Sequence, residues 1–496
     1  MKVLLLYPGF PDTFWSFRHA LPFQGKRSAY PPLGLLTVSA MLPPHWERKL
    51  VDLNVEKLRP RDLAWADVAF ISAMLIQAPF LSDLLARCRE AGLRTVLGGP
   101  ITSADDAACR DADHIVRGEA EGVMEELVRD LSEGRGRGLY ESPGHPDMTR
   151  VPPPDLHLAR MGRYSAMPVQ YSRGCPYSCE FCDIIELFGQ VPRTKTAEQV
   201  IAELDRLYDL GWRGSVFVVD DNFVGNKGAI KALLPRLADW MRRRRNPFSL
   251  FTQASINMAV DGELLALMRA ARFNRVFVGI ETPVAECHRA AGKNPNVNVD
   301  LLASVRRIQE YGMEVMGGFI LGFDQDPPEI FERQIAFIRE AAIPISMVGL
   351  LTALPNTRLW RRLSKEGRIL RQSIGDNTSA SLNFIPRMDA KTLLAGYRSV
   401  MASIYSPKEY FARARTLLAR LGPAPRNRLV LSDYLALCRS FVRQGIVARY
   451  RIAYWKFLGG AMLRARGKLG LAVTLAIMGH HFFVLTRRLE KGWTRP

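Results

Sequence analysis

The chain has 496 residues, 48% of them hydrophobic, and a formal net charge of +19. This composition supplies a folded core and excludes a mainly disordered protein. Seven cysteines, three of them within eight residues, exclude a disulfide framework and favour metal binding in a reducing compartment, so we expect a cytoplasmic protein.

Residues 1–140 alternate short apolar runs with helical stretches. The runs are VLLLYP, KLVDLN, VAFISAM and RTVLGGP. The first of them lacks the cleavage pattern of a signal peptide and predicts a strand. The alternation predicts a doubly wound parallel sheet, and such sheets bind ligands at the carboxyl ends of their strands. Ser72, Gly98 and Gly99 fall at such ends.

A segment rich in Pro, Gly and Asp, 141–166, predicts a linker, and a second alternating region follows at 167–365. Its candidate strands are PVQYS, SVFVVD, SLFTQAS, RVFVGIE, EVMGGFIL and SMVGLL. A capping box at Thr196–Gln199 opens one of the intervening helices. These units predict a full or partial β/α barrel.

Residues 366–496 are predicted to be mainly helical and strongly basic. From residue 421 onward the sequence contains 14 Lys and Arg and two acidic residues, which gives a net charge of +12. The simplest interpretation is a solubilising tail. The alternatives are contact with an anionic membrane surface or with nucleic acid, and we favour the membrane surface because no nucleic-acid motif accompanies the charge. The apolar run at 469–486 is interrupted by two histidines, and we expect a buried or interfacial helix rather than a spanning one.

The chemistry centres on Cys175, Cys179 and Cys182, which form C-x-x-x-C-x-x-C directly after a predicted strand. Three thiolates on one loop can each bind a different iron of a 4Fe–4S cluster. The fourth iron then lacks a protein ligand and can bind S-adenosylmethionine (SAM). The alternative is a structural zinc site, which needs four ligands, and no second Cys/His pair stands nearby in the sequence.

This loop, with Phe181 before the last cysteine, resembles that of the radical SAM superfamily. The resemblance implies that polar and glycine residues at later strand ends contact SAM. They are Asp220, Asp221, Asn222, Gln253, Ser255, Gly279, Glu281, Thr282, Gly317, Gly318 and Gly322. For the acidic residues, a helix N-cap is the alternative. Cys287 and Cys438 have no partner pattern and are expected to be ordinary core or loop residues.

The N-terminal region resembles the cobalamin-binding subclass of that superfamily. The similar positions are 31–36, 52–54, Ser72, 98–100 and 118–121. The resemblance implies that these positions seat the corrin ring and its nucleotide tail. The D-x-H-x-x-G element that supplies a cobalt ligand in some cobalamin proteins is absent, because His19, His45 and His114 lie in other contexts. Cobalamin not bound by histidine is therefore expected; the alternative is a domain that binds nothing.

The segments 179–196 and 207–227 resemble the subgroup that includes bacterial hopanoid methylases. This implies methylation of an unactivated carbon, with a 4Fe–4S cluster, SAM and cobalamin as cofactors, on a small-molecule or lipid substrate. An electron donor such as flavodoxin or ferredoxin is implied as a partner. The alternatives are a cobalamin-dependent radical SAM cyclase or rearrangement enzyme without methyl transfer, and a binding protein with a structural or sensory cluster.

Overall fold

The computed structural model describes residues 1–135, 138–423 and 431–491. Two parallel sheets of six strands each follow one another along the chain, and a helical region completes it. This is the α/β architecture that the sequence predicts.

The first sheet has the strand order β2-β1-β3-β4-β5-β6, and every neighbouring pair is parallel. Its strands are β1 (Lys2–Tyr7), β2 (Glu47–Asp52), β3 (Val68–Ser72), β4 (Arg94–Gly98), β5 (His114–Arg117) and β6 (Leu139–Glu141). Its helices are α1 (Leu33–Met41), α2 (Pro60–Trp65), α3 (Ala78–Glu90), α4 (Ile101–Ala104), α5 (Asp106–Cys109) and α6 (Met124–Ser132). Because the chain moves to opposite sides of β1 for β2 and β3, the carboxyl ends of β1 and β3 flank the crevice in which doubly wound sheets bind ligands.

The second sheet has the order β14-β13-β12-β11-β10-β7. Its strands, with the two-stranded antiparallel ribbon β8–β9, are β7 (Ala166–Val169), β8 (Ser172–Arg173), β9 (Arg193–Thr194), β10 (Ser215–Val218), β11 (Ser249–Ala254), β12 (Phe273–Glu281), β13 (Glu314–Leu321) and β14 (Ser346–Leu350). Its helices are α7 (Ile184–Phe188), α8 (Ala197–Asp209), α9 (Lys227–Arg243), α10 (Gly262–Ala270), α11 (Ala285–Ala290), α12 (Leu301–Glu310), α13 (Ile330–Glu340) and α14 (Arg358–Lys365). Because β7 and β14 are the two edges of this sheet, the barrel is partial.

Two local predictions have different outcomes. The capping box is confirmed: the hydroxyl of Thr196 accepts the N–H of Gln199, and the Gln199 side chain accepts the N–H of Thr196. The predicted strand PVQYS is wrong in detail, because β7 ends at Val169 and β8 begins at Ser172. The strand breaks where the backbone turns toward a buried carboxylate, described below.

The C-terminal region consists of α15 (Ala390–Ile404), α16 (Pro407–Arg420), α17 (Leu431–Ser440), a π-helical turn (Phe441–Val447), α18 (Arg451–Arg464) and α19 (Leu469–Glu490). Within the described ranges, one helical stretch, Arg466–Glu490, is long and apolar enough to cross a membrane by length and composition. In its most apolar window 67% of the residues are buried inside the protein. The rings of His480, His481 and Phe482 are all buried, as expected for a core helix.

Candidate active site

The cysteine-bearing loop lies between the two strands of the β8–β9 ribbon. It starts at Gly174, whose φ of +95° lies in the left-handed region. A Cβ at this position would lie 2.8 Å from the carbonyl oxygen of Val191 and 3.0 Å from that of Gly189, so only glycine fits. The N–H of Cys175 donates to Gly189 (3.2 Å), which closes the loop on itself.

The three thiols on this loop are free, and they have different surroundings. Cys179 is buried, whereas Cys175 and Cys182 are partly exposed. Burial raises the pKa of the Cys179 and Cys182 thiols. Among the described residues there is no group of three or more His, Cys, Asp and Glu that could hold a single metal ion. A 4Fe–4S cubane takes each thiolate on a separate iron, so its three protein ligands need not converge on one ion.

Glu180, in the middle of the cysteine motif, anchors the loop to the end of the barrel. Its carboxylate accepts two hydrogen bonds from Arg362 on α14, at 2.9 and 3.1 Å. Its backbone carbonyl accepts the N–H of Leu359 (2.7 Å), and its own N–H donates to Ala291 (2.9 Å). This anchor could not be predicted from the sequence, because its partners lie more than a hundred residues along the chain.

Asp220 holds the start of the cysteine loop. It is completely buried, and its two carboxylate oxygens accept the N–H of Tyr171 (2.8 Å), the N–H of Ser172 (2.8 Å) and the Ser172 hydroxyl (2.6 Å). Burial raises the pKa of Asp220 to about 7, although these hydrogen bonds favour the charged form. The N-cap alternative is wrong for Asp220 and Asp221, because Asn226 caps the following helix.

Asn222 connects the loop with the end of β11. Its amide nitrogen lies 3.8 Å from Sγ of Cys175, and its amide oxygen accepts the N–H (3.0 Å) and hydroxyl (3.2 Å) of Ser255. Ser255 in turn bonds to Asn257, whose amide donates to the hydroxyl of Tyr177 (2.6 Å) inside the cysteine motif. This polar network joins two predicted residues with two unpredicted ones. Gln253, also predicted, lies on β11 and is only partly buried.

Glu281 ends β12 in a left-handed conformation (φ +64°) and pairs with Lys293 at 2.7 Å. Nζ of Lys293 also lies 5.9 Å from the ring centroid of Phe181, so this ion pair adjoins the cysteine loop. Burial opposes the charge of Lys293, but Glu281 and nearby thiol groups raise its pKa. Thr282 is fully buried, and its hydroxyl accepts the N–H of Val284. The N-cap alternative is wrong for Glu281, because α11 begins after Val284 without a side-chain cap.

One face of the second sheet carries aromatic side chains, of which Phe217 is buried and the others are partly exposed. We call it the inner face; it comprises Phe217, Phe251, Gln253 and Phe277. Alternate residues such as Leu250 and Val276 are completely buried, whereas Phe251 and Phe277 are only partly so. A side chain at the centre of a sheet stays partly accessible only if no other side chains pack over it. This face therefore borders an open space.

Two aromatic residues of the N-terminal segment approach the inner face. Trp15 lies 5.3 Å from Phe277 and Tyr30 lies 5.4 Å from Phe217, measured between ring centroids, and Phe217 stacks on Phe251 at 4.6 Å. Both Trp15 and Tyr30 remain 43% exposed. The inner face is therefore an apolar wall at the barrel that is shared with the N-terminal region.

Ser72, Gly98 and Gly99 lie together at the carboxyl ends of β3 and β4, where Ser72 pairs with Gly98. Gly99 has a φ of +90°, and a Cβ there would lie 2.7 Å from Oγ of Ser72 and 2.8 Å from the carbonyl of Ala73. The sequence thus places these three residues correctly at one edge of the sheet. Their contact with cobalamin stays a prediction.

The segment 118–121 contacts the β8–β9 ribbon, and its expected contact with cobalamin stays a prediction. The buried carboxylate of Glu119 accepts hydrogen bonds from Arg173 (2.6 Å) and Arg193 (2.7 Å), and lies 2.9 Å from the His145 ring. Glu121 also pairs with Arg173 (2.8 Å). A loop of the first sheet is therefore joined by ion pairs to both strands of the β8–β9 ribbon.

Comparison with known families agrees with this arrangement. Residues 169–338 match the radical SAM superfamily, residues 27–128 match the B12 binding domain, and residues 357–494 match a domain of unknown function. The fold and the cysteine loop thus define a radical SAM protein that carries a B12 binding domain, and the predicted resemblance to both is confirmed.

Two similar proteins indicate which group of radical SAM proteins the chain belongs to. The chain is 36% identical to the hopanoid C-2 methylase of Rhodopseudomonas palustris, with 99% of this chain and 94% of that protein covered. It is 38% identical to an uncharacterized methyltransferase of Synechocystis sp., with 97% and 91% covered. The chain therefore belongs to the family of cobalamin-dependent radical SAM methyltransferases and is a homologue of the hopanoid methylases.

A solved structure shows a similar fold. The radical SAM methyltransferase TsrM from Kitasatospora setae, with cobalamin and a [4Fe-4S] cluster bound, superposes with a TM-score of 0.63 at 16% identity. The match covers 94% of this chain and 99% of that one. The two-sheet architecture and the helical C-terminal region are thus those of a known fold.

Proposed function

We propose that this enzyme methylates an unactivated carbon of a hopanoid-like lipid. The observation that carries the proposal is the inner face, a partly accessible aromatic surface in the same barrel whose strand ends hold the cysteine loop. Fused hydrocarbon rings bury large apolar areas against aromatic side chains, whereas a polar metabolite gains little there. The family relationship to hopanoid methylases supports the same substrate class.

The residues present fit the cofactors of this family. Cys175, Cys179 and Cys182 would hold the cluster, and Asn222 and Glu281, which adjoin the cysteine loop, would contact SAM. Ser72 and Gly99 would contact cobalamin. When bound, these groups together supply hydrogen abstraction and a transferable methyl group.

The protein's own contribution is positioning and exclusion of water. Asp220, Glu180 and Glu119 fix the cysteine loop from three sides, through the barrel strands, α14 and the first sheet. The apolar inner face orients the substrate and keeps water from a reactive carbon. A flavodoxin or ferredoxin would supply electrons, and the enzyme would work in the cytoplasm with peripheral contact to the membrane that contains its substrate.

The proposal is tested by turnover of the anaerobically reconstituted protein with SAM, cobalamin, a reductant and an unmethylated hopanoid. We expect 5′-deoxyadenosine and a lipid whose mass has risen by one methyl substitution. A converted lipid without an added methyl group would favour the cyclase or rearrangement alternative. Deoxyadenosine formed with no methylated lipid would contradict the proposed substrate.

A further inference from the structure

Large exposed apolar side chains are concentrated in one part of the C-terminal region. Of the 22 large hydrophobic residues exposed in the described chain, twelve lie between residues 431 and 463. They are Leu431, Tyr434, Leu435, Leu437, Phe441, Val442, Ile446, Val447, Ile452, Trp455, Met462 and Leu463. Single exposed apolar residues are ordinary, but such a concentration marks an interaction surface.

These residues face outward because α17 and α18 each pack their other side against the rest of the protein. The opposite side of α17 packs on the body of the protein through Ala436 and Ser440, which are buried. Likewise α18 is anchored through buried Tyr454 and Phe457. The exposed residues are therefore not needed for packing within the protein, because each helix already packs through the residues on its other side.

The exposed residues of the two helices make contact. The ring centroid of Phe441, the first residue of the π-helical turn after α17, lies 5.2 Å from that of Trp455 on α18. The indole N–H of Trp455 donates to the carbonyl of Gly445 (3.0 Å) in the π-helical turn between them. We call the exposed residues of 431–463 the docking face.

The charge of the docking face is basic. Exposed Arg449, Arg451 and Lys456 alternate with the apolar residues, and Asp433 is the single acidic residue of this range. Arg439 and Arg443 are exposed as well, and both also contact Phe23. Apolar residues with a tryptophan and a tyrosine, interleaved with Arg and Lys, are the composition of helices that lie in the headgroup region of a bilayer.

We propose that the docking face binds peripherally to an anionic lipid bilayer. Its apolar side chains would enter the headgroup–acyl boundary, while the long basic side chains reach back to lipid phosphates. A second copy of this chain fits less well, because a symmetric interface would oppose two sets of like charges. Nucleic acid would leave the twelve apolar side chains without an apolar partner.

The test measures flotation of the full-length protein, loaded with cluster and cobalamin, with vesicles of phosphatidylcholine alone or mixed with phosphatidylglycerol. Substrate is left out, so the outcome does not depend on the proposed reaction. We expect binding to the anionic vesicles that weakens with salt. The double variant Val442→Glu/Ile452→Glu should lower the partition coefficient on the order of tenfold or more. The control Leu370→Glu, equally exposed at 60% but outside the docking face, should bind like the wild type.

Trp455 gives a second readout that does not depend on these variants. On binding, its fluorescence should shift to the blue and be quenched by brominated lipid, and both signals should be lost in Trp455→Phe. The proposal is overturned if the wild type floats with neither vesicle, if the Val442→Glu/Ile452→Glu variant floats as well as the wild type, or if Trp455 is not quenched. It is also overturned if these substitutions abolish a dimer or RNA binding while vesicle binding is absent.

Discussion

At the scale of single residues, the carboxylate of Asp220 is occupied by hydrogen bonds to the chain that leads into the cysteine loop. Three donors from Tyr171 and Ser172 fill its two oxygens, so it acts by placing the first turn of the cysteine loop. The family resemblance points to this position for SAM binding, whereas the geometry favours a positioning role.

Replacing Asp220 with Asn tests that role. The amide nitrogen cannot accept a hydrogen bond, so at least one buried N–H loses its partner, which costs about 1–3 kcal/mol. We expect a loss of that size in the free energy of unfolding, measured in urea, and a lower iron content after anaerobic reconstitution. The exposed Asp83→Asn should change stability by less than about 0.5 kcal/mol. A D220N protein with wild-type stability and iron content would refute the positioning role.

At the scale of elements, the β8–β9 ribbon is joined to the first sheet by Glu119. Its side chain is only 2% exposed, and those of Arg173 and Arg193 are 11% and 17% exposed, so these ion pairs are poorly screened by solvent. The link couples the position of the cysteine loop to that of the predicted cobalamin domain.

Glu119→Gln should therefore loosen the ribbon. Breaking a buried pair costs about 3–5 kcal/mol, and we expect the lower end because Arg173 keeps Glu121. Hydrogen exchange should increase over residues 172–194. Glu141→Gln, which breaks an exposed pair with Arg117, should cost under about 1 kcal/mol. Unchanged exchange in the E119Q ribbon would show that the domains are held together by other contacts.

Helix α19 carries a buried neutral histidine that ties it to the N-terminal segment. Burial is the main reason that the pKa of His481 falls to about 3. Its Nε2 donates to the carbonyl of Phe14 (3.1 Å), and its Nδ1 accepts the N–H of His19 (3.3 Å). A second proton on Nδ1 would face that N–H, so the fold excludes it.

Because this pKa is lowered in the folded state, the unfolded chain binds more protons than the folded one as the pH falls. The contribution of His481 to the free energy of unfolding is therefore fully present above about pH 6.5 and is lost as the pH falls toward 3. We expect the unfolding free energy to fall with acidification by up to about 1.4 kcal/mol per pH unit more in the wild type than in His481→Gln. Urea titrations between pH 4 and 7 measure this slope. The exposed His45→Gln should keep the wild-type slope; equal slopes for the wild type and H481Q would contradict a neutral buried ring.

Over the whole molecule, the predictable features are those encoded locally. Most strands of the two sheets are short apolar runs, and the cysteine loop is one contiguous motif, so the sequence predicts them. The short strands β5 and β6 are not among the predicted runs, and the end of β7 is misplaced. The pairs Glu119–Arg173, Glu180–Arg362 and Glu281–Lys293 escaped prediction, because their formation depends on which loops meet in the fold. The docking face escaped it too, because exposure depends on which side of each helix is covered.

The central claim is that Cys175, Cys179 and Cys182 hold an iron–sulfur cluster with one iron open to SAM. Iron and sulfide analysis of the anaerobically prepared protein, combined with electron paramagnetic resonance after reduction, tests this most directly. We expect about four irons and four sulfides per chain and a reduced-cluster spectrum that changes when SAM is added. The iron–sulfide content and the spectrum should both be lost in Cys179→Ala and retained in Cys438→Ala. About one zinc with no iron, or a spectrum indifferent to SAM, would contradict the account.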